Sequence, residues 1–212
     1  MSRYATGFSI AGSVLTIAFL IVVNLITNGS HPWFIYPSFV LLLWPISHYF
    51  MVKGEQKKFS MVCSLLIIGF LFVVNYIQTP EYPWFLYPIL PILWWPILIY
   101  LGKRAKSLAV AMVGSTSIML YYIILNIFLA PGHPWAIYPI FAVLWWPLAI
   151  YHAQKRSYVA FSVHASLLIG IFFITVNMIT SPDTIWAVYP IFAVIWWPLS
   201  MYYFVHKRKS EV

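Results

Sequence analysis

Four asparagines recur at one interval: Asn24, Asn75, Asn126 and Asn177, each 51 residues beyond the last. Ser13, Ser64, Ser115 and Ser166 keep the same interval. Ser13 and Asn24 are eleven residues apart, about three helical turns, so both return to nearly one face. Ser9 and Thr27 lie near that stripe, with counterparts Ser60 and Gln78, and Ser162 and Thr180. In an apolar medium such groups have two uses. They hydrogen-bond between helices, at about 1 kcal/mol per contact, or they line a wetted path, here a ring of four asparagines near its outer end.

A second series joins tryptophan to proline: Trp44-Pro45, Trp95-Pro96, Trp146-Pro147 and Trp197-Pro198. Proline inside a helix removes one backbone hydrogen bond and bends the chain. The carbonyl it frees needs a Ser, a Thr or water. Large rings at that depth either fill a core or wall a pocket for an apolar or cationic ligand, the latter through cation–π contact. Trp33, Tyr36 and Pro37 and their copies (Trp84, Tyr87, Pro88; Trp135, Tyr138, Pro139; Trp186, Tyr189, Pro190) stand earlier in the same segments. Those rings suit an interfacial belt, and the proline suits the first turn of a helix.

Acid–base and metal chemistry find no footing. The long apolar runs contain no Asp or Glu, and the six histidines form no ligand cluster with Cys, Asp or Glu. His31 and His133 occupy outer turns, His152 and His206 stand near inner helix ends, and His48 and His164 lie nearer the membrane. Walker, Gly-x-Ser-x-Gly and His-Glu-x-x-His motifs are missing. The expectation is a non-enzyme with no catalytic residue, no cofactor and no metal. Cys63 sits inside an apolar run, where a buried inert thiol is expected.

The segments that carry these residues are built for lipid. Of 212 residues, 63% are hydrophobic and 8% charged, where a soluble domain carries about a quarter charged. Apolar runs cover Phe8 to Ile26, Phe59 to Ile77, Leu108 to Leu129 and Tyr158 to Ile179. Each meets the roughly 20 residues that cross a bilayer. Shorter aromatic runs follow, Trp33 to Val52, Trp84 to Leu101, Trp135 to Tyr151 and Trp186 to Val205. The first run is longer than a signal-peptide core and repeats later in the chain, so it is expected to be retained.

Charge sets the orientation. All twelve basic residues fall at Arg3, in alternate loops (Lys53, Lys57, Lys58; Lys103, Arg104, Lys106; Lys155, Arg156) or at Lys207, Arg208 and Lys209. The intervening loops carry none, only Glu81 and Asp183. Eight spans place every basic cluster on one side, and Lys/Arg-rich loops are cytoplasmic, as both termini are then expected to be. With no separate basic domain, the net charge of +8 implies no nucleic-acid partner.

The expected fold is an all-α integral membrane protein of eight transmembrane helices. A single membrane domain over 1–212 holds four parallel tandem helical hairpins, at about 4–54, 55–105, 106–156 and 157–207. Even-numbered spans per copy make the repeats parallel, in a pseudo-fourfold or pseudo-twofold arrangement. Asn24, then Trp33-Phe34-Ile35-Tyr36-Pro37, Trp44 and His48 resemble the bacterial two-transmembrane (2TM) domain family, found as single hairpins and as the membrane part of some sensor kinases. The later copies carry Ile99, Ile150 and Met201 where the first has His48. The resemblance implies a small bacterial cell-membrane module without defined chemistry. Three functions follow as expectations: a non-catalytic sensing or partner-binding module, a passive channel or facilitator lined by the repeated Ser and Asn, or a binder of a hydrophobic small molecule or lipid. The expected partners are the bilayer, another membrane or signalling protein, and a second copy of the chain.

Overall fold

A computed structural model describes residues 3–29 and 31–207, and no strand occurs among them. The helices are α1 (Arg3–Asn28), α2 (Ile35–Lys53), α3 (Gln56–Gln78) and α4 (Leu86–Leu101), followed by a 3₁₀ turn (Gly102–Lys106). Then come α5 (Leu108–Leu129), α6 (Ile137–Lys155), α7 (Tyr158–Thr180), α8 (Val188–Met201) and a π turn (Tyr202–Lys207). Seven are long and apolar enough to cross a membrane: α1 to α5, α7 and α8, with α4 and α8 counted together with the turns that extend them. The eighth, α6, has 19 residues but ends on His152, Gln154 and Lys155, which lower its mean hydropathy. Helix α3 starts on Gln56, Lys57 and Lys58 and so runs past the apolar stretch at its basic end.

Two compact units divide the chain, Met1–Leu101 and Gly102–Val212. In the first unit α1 packs on α2, α3 on α4, and α2 on α3. In the second α5 packs on α6, α7 on α8, and α6 on α7. The same side chains make the middle contact in each. Phe39 stacks on Phe70 with centroids 4.0 Å apart, and Phe141 on Phe172 at 4.0 Å, each partner 102 residues further on (39 to 141, 70 to 172). Tyr36 meets Phe70 edge-on at 6.2 Å, and Tyr138 meets Phe172 at 6.0 Å. A pair of hairpins is therefore the packing unit, above the single hairpin that repeats in sequence.

Within a hairpin, close approach depends on small residues four apart on the odd-numbered helix. These are Ser9 and Ser13, Ser60 and Ser64, Ala111 and Ser115, and Ser162 and Ser166. All are buried except Ser166, which is half-buried. Lipid tails are as apolar as leucine, so helices associate here by van der Waals fit, and small side chains bring backbones together. Gly12 belongs to this face: a Cβ there would stand 3.4 Å from the Trp44 ring. At the basic end of α2, Gly54 takes φ 68° and lets its amide cap the helix. Arg156 takes φ 50° at the matching end of α6, a conformation that costs a residue with a side chain about 1 kcal/mol.

This packing makes a size-dependent prediction. Ser60→Ala should change stability by less than about 0.5 kcal/mol, because Ala111 already serves at that place. Ser60→Leu should cost about 1–3 kcal/mol by overpacking. Unfolding of the purified chain in mixed detergent would separate them, and equal effects would remove the close-packing argument.

Candidate functional site

The repeated serines meet the repeated prolines. Pro45, lacking an amide hydrogen, cannot bond the carbonyl of residue 41, four positions earlier. Ser13 Oγ donates to that Leu41 carbonyl at 2.8 Å. Ser64 donates to Ile92 at 3.3 Å, Ser115 to Val143 at 3.1 Å and Ser166 to Val194 at 3.2 Å. Those carbonyls lie four residues before Pro96, Pro147 and Pro198. In every hairpin the hydroxyl of one helix stands in for the hydrogen-bond donor that proline removed from the other.

The asparagines work on the opposite end. Nδ2 of Asn75 donates to the carbonyls of Thr79 (2.7 Å) and Tyr82 (2.8 Å), while Oδ1 accepts the Phe85 amide at 3.2 Å. Asn126 binds Ala130, His133 and Ala136 in the same way, at 2.7, 2.8 and 2.9 Å. Asn177 binds Ser181, Thr184 and Ala187 at 2.8, 2.7 and 2.9 Å. Asn24 donates to His31 at 3.1 Å and accepts from Phe34 at 3.2 Å. Phe34, Ala136 and Ala187 are the N-cap residues of α2, α6 and α8. A helix start exposes amides without intrahelical partners, and here a side chain from the preceding helix accepts one of them. The four amides are buried clamps on the turns opposite the basic loops, and their partners are backbone groups of those turns.

The deep tryptophans lie on the surface of their units. Trp44 is 43% exposed and Trp95 37%, with Trp146 and Trp197 half-buried. The expectation that they fill a core is not how these rings are placed. Edge-on contacts hold three of them: Phe8 with Trp44 at 6.2 Å, Phe59 with Trp95 at 5.9 Å, and Phe161 with Trp197 at 5.6 Å. Trp95 also lines a cavity of about 300 Å³ with Phe50, Met51, Phe59 and Ile99. Next to Pro96, α3 and α4 form a larger, open apolar pocket of about 500 Å³, lined by Met61, Leu65, Leu93, Ile97 and Tyr100, with Ser64 at its wall.

At the basic ends, lysines lie over tyrosines. Lys53 and Lys155 sit 4.3 and 4.4 Å from the ring centroids of Tyr49 and Tyr151, and Lys57 sits 5.5 Å from that of Tyr100. The apolar lysine stem and the cation both gain there. The histidines behave less uniformly. His48 is buried with Nδ1 2.9 Å from Thr6 Oγ1. His152 Nε2 lies 3.0 Å from His164 Nδ1 and its Nδ1 lies 2.7 Å from Ser157 Oγ. That pair joins residues the sequence reading kept apart. A signal was available: the matching positions in the first unit are Phe50 and Val62, so two apolar sites become histidine together. Among the described residues, no three of His, Cys, Asp and Glu converge for a metal ion.

No protein family, curated protein or solved structure matched the chain.

The clamp predicts that Asn126→Leu removes three hydrogen bonds at once. At about 1 kcal/mol each, the cost should approach about 3 kcal/mol. Hydrogen exchange should then rise at residues 130–136 and stay low in the middle of α5 and α6. A general loss of protection across α5 and α6, with nothing special at the turn, would contradict the clamp.

Proposed function

We propose that this chain is a non-catalytic, multi-pass membrane protein acting as a membrane-embedded sensing or partner-binding module. It consists of four parallel tandem hairpins of the two-transmembrane type in a bacterial cell membrane, with both termini in the cytoplasm. One observation carries the reading: all eight repeated Ser and Asn side chains are taken up by backbone groups of their own hairpin. Side chains so committed are poor linings for a wetted path, which leaves the channel reading without its main residues. The surface left for interaction is aromatic and aliphatic, as a lateral membrane partner or a second copy would require. The basic loops add cationic contacts for anionic lipid or a cytoplasmic partner.

A second reading, binding of a hydrophobic small molecule or lipid chain, is favoured by the apolar pocket beside Pro96. Its volume lies within the usual range for ligand pockets. Leu93→Trp should fill it and reduce retention of a co-purifying lipid.

Two experiments bear on the module. Proteoliposomes containing the chain should show no K⁺, Na⁺ or Cl⁻ flux above empty vesicles. Crosslinking in native membranes should give a discrete adduct, either with one membrane protein or with a second copy. Selective ion flux abolished by Asn75→Leu and Asn126→Leu in well-folded protein would overturn the reading.

A further inference from the structure

The second unit holds a feature its sister unit lacks. His152, on the last turn of α6, is 3% exposed, while His164 is exposed on α7 two turns from that helix's start. Their facing nitrogens are 3.0 Å apart, directly across the α6–α7 contact. A bond at that distance needs one N–H and one lone pair, whichever ring supplies which. Ser157 Oγ engages the other nitrogen of His152, so that ring is held from both sides. Phe161 packs against the His152 ring at 5.6 Å, in the place where Phe59 meets Phe50 in the first unit. An aromatic contact between hairpins has thus become a polar one.

We propose that His152 and His164 form a proton-sensitive latch that fastens α6 to α7 at neutral pH and releases them on acidification. One added proton leaves the bond intact, as imidazolium to imidazole. A second removes the last lone pair and sets two cations about 3 Å apart. Among the described residues, no carboxylate stands on the pair's own helices or on the elements packed against them. Helix α6 itself brings Lys155 and Tyr151, whose ring meets that of His152 edge-on at 5.0 Å, with Arg156 at its cap; the 3₁₀ turn brings Lys103, Arg104 and Lys106, and Gln154 ties α6 to that turn by donating to the Lys106 carbonyl at 2.9 Å. Helix α7 adds Tyr158, and the π turn packed on α7 adds Tyr202 and Tyr203. The side chains of His206 and Lys207 lie outside the described residues. Helices α5 and α8 contain no Lys, Arg, His, Asp or Glu, only Tyr121, Tyr122 and Tyr189. Among the described residues the pair has no third ligand and no carboxylate, which argues for protons over a metal cation.

The sign follows from proton counting. Once separated, each ring can take up a proton in acid, while the facing pair keeps its bond with one added proton only. Where the unfolded state binds more protons, stability falls as pH falls. The latch needs no partner, so it stands or falls apart from the module reading.

The sister unit supplies the controls, since His152→Phe and His164→Val install the residues that already serve at positions 50 and 62. Full-length protein in nanodiscs would be melted from pH 8 to pH 5 as wild type, H164V and H152F/H164V. Wild type should lose several degrees of Tm more than either variant between pH 7 and 5, with acid-induced hydrogen exchange rising at residues 150–164 in wild type alone. H164V alters an exposed residue and keeps the test valid should the double variant fail to fold. A wild-type-minus-variant difference that is constant with pH would make the pair purely structural and overturn the proposal. So would stabilisation of wild type, but not H164V, by micromolar Zn²⁺ at pH 7.5, which would assign the pair to a metal.

Discussion

The structure turns on the carbonyl that the Trp-Pro proline frees in each hairpin; α4 alone carries a second internal proline, Pro91. A proline inside a helix leaves the carbonyl four residues earlier without its amide, and hydrocarbon offers no water to replace it. An unsatisfied backbone group there costs several kcal/mol. Each hairpin meets this constraint with a serine from the facing helix, at Leu41, Ile92, Val143 and Val194. The bond also fixes how the two helices sit, because only a short side chain lets the hydroxyl reach a backbone oxygen. Ser13 and Ser9 therefore act together, one supplying the donor and both permitting the approach. The Trp44 ring closes over Gly12 on the same face.

Asparagine answers the same constraint at the other end. The turn there must pass from one helix to the next with its own carbonyls and an N-cap amide satisfied. A single amide side chain, with two donors and an acceptor, reaches three backbone groups. The result is a hairpin that satisfies its own polar backbone at the bend and at the turn. What remains outside is apolar and aromatic, and that is the physical support for the proposed module working through its surface.

Much of this was legible in the sequence. The interval of 51 residues picked out the asparagines, serines and prolines that carry these contacts, and proline chemistry alone required a Ser, a Thr or water for the freed carbonyl. The apolar runs gave α5 its observed bounds, Leu108–Leu129, and α7 to within one residue. Other features were hidden for stated reasons. Helical periodicity places Asn24 on a face but cannot say that its partners are loop atoms seven and ten residues on. The depth of Trp44 suggested a core ring, yet that ring, set against Phe8 and Gly12 of α1, stays 43% exposed. His152 and His164 are twelve residues apart on different helices, and only the packing of α6 on α7 brings them into contact.

The most direct test of the account is a double-mutant cycle on Ser13 and Pro45, followed by unfolding in mixed detergent. With proline present, Ser13→Ala should cost about 1 kcal/mol, as for other hydrogen bonds within membranes. With Pro45→Ala, residue 45 regains an amide to bond the Leu41 carbonyl, and the same serine change should cost close to nothing. A coupling of that size between residues so far apart in sequence would establish the substitution of hydroxyl for amide. Equal losses in both backgrounds would contradict it and return the repeated serines to other work.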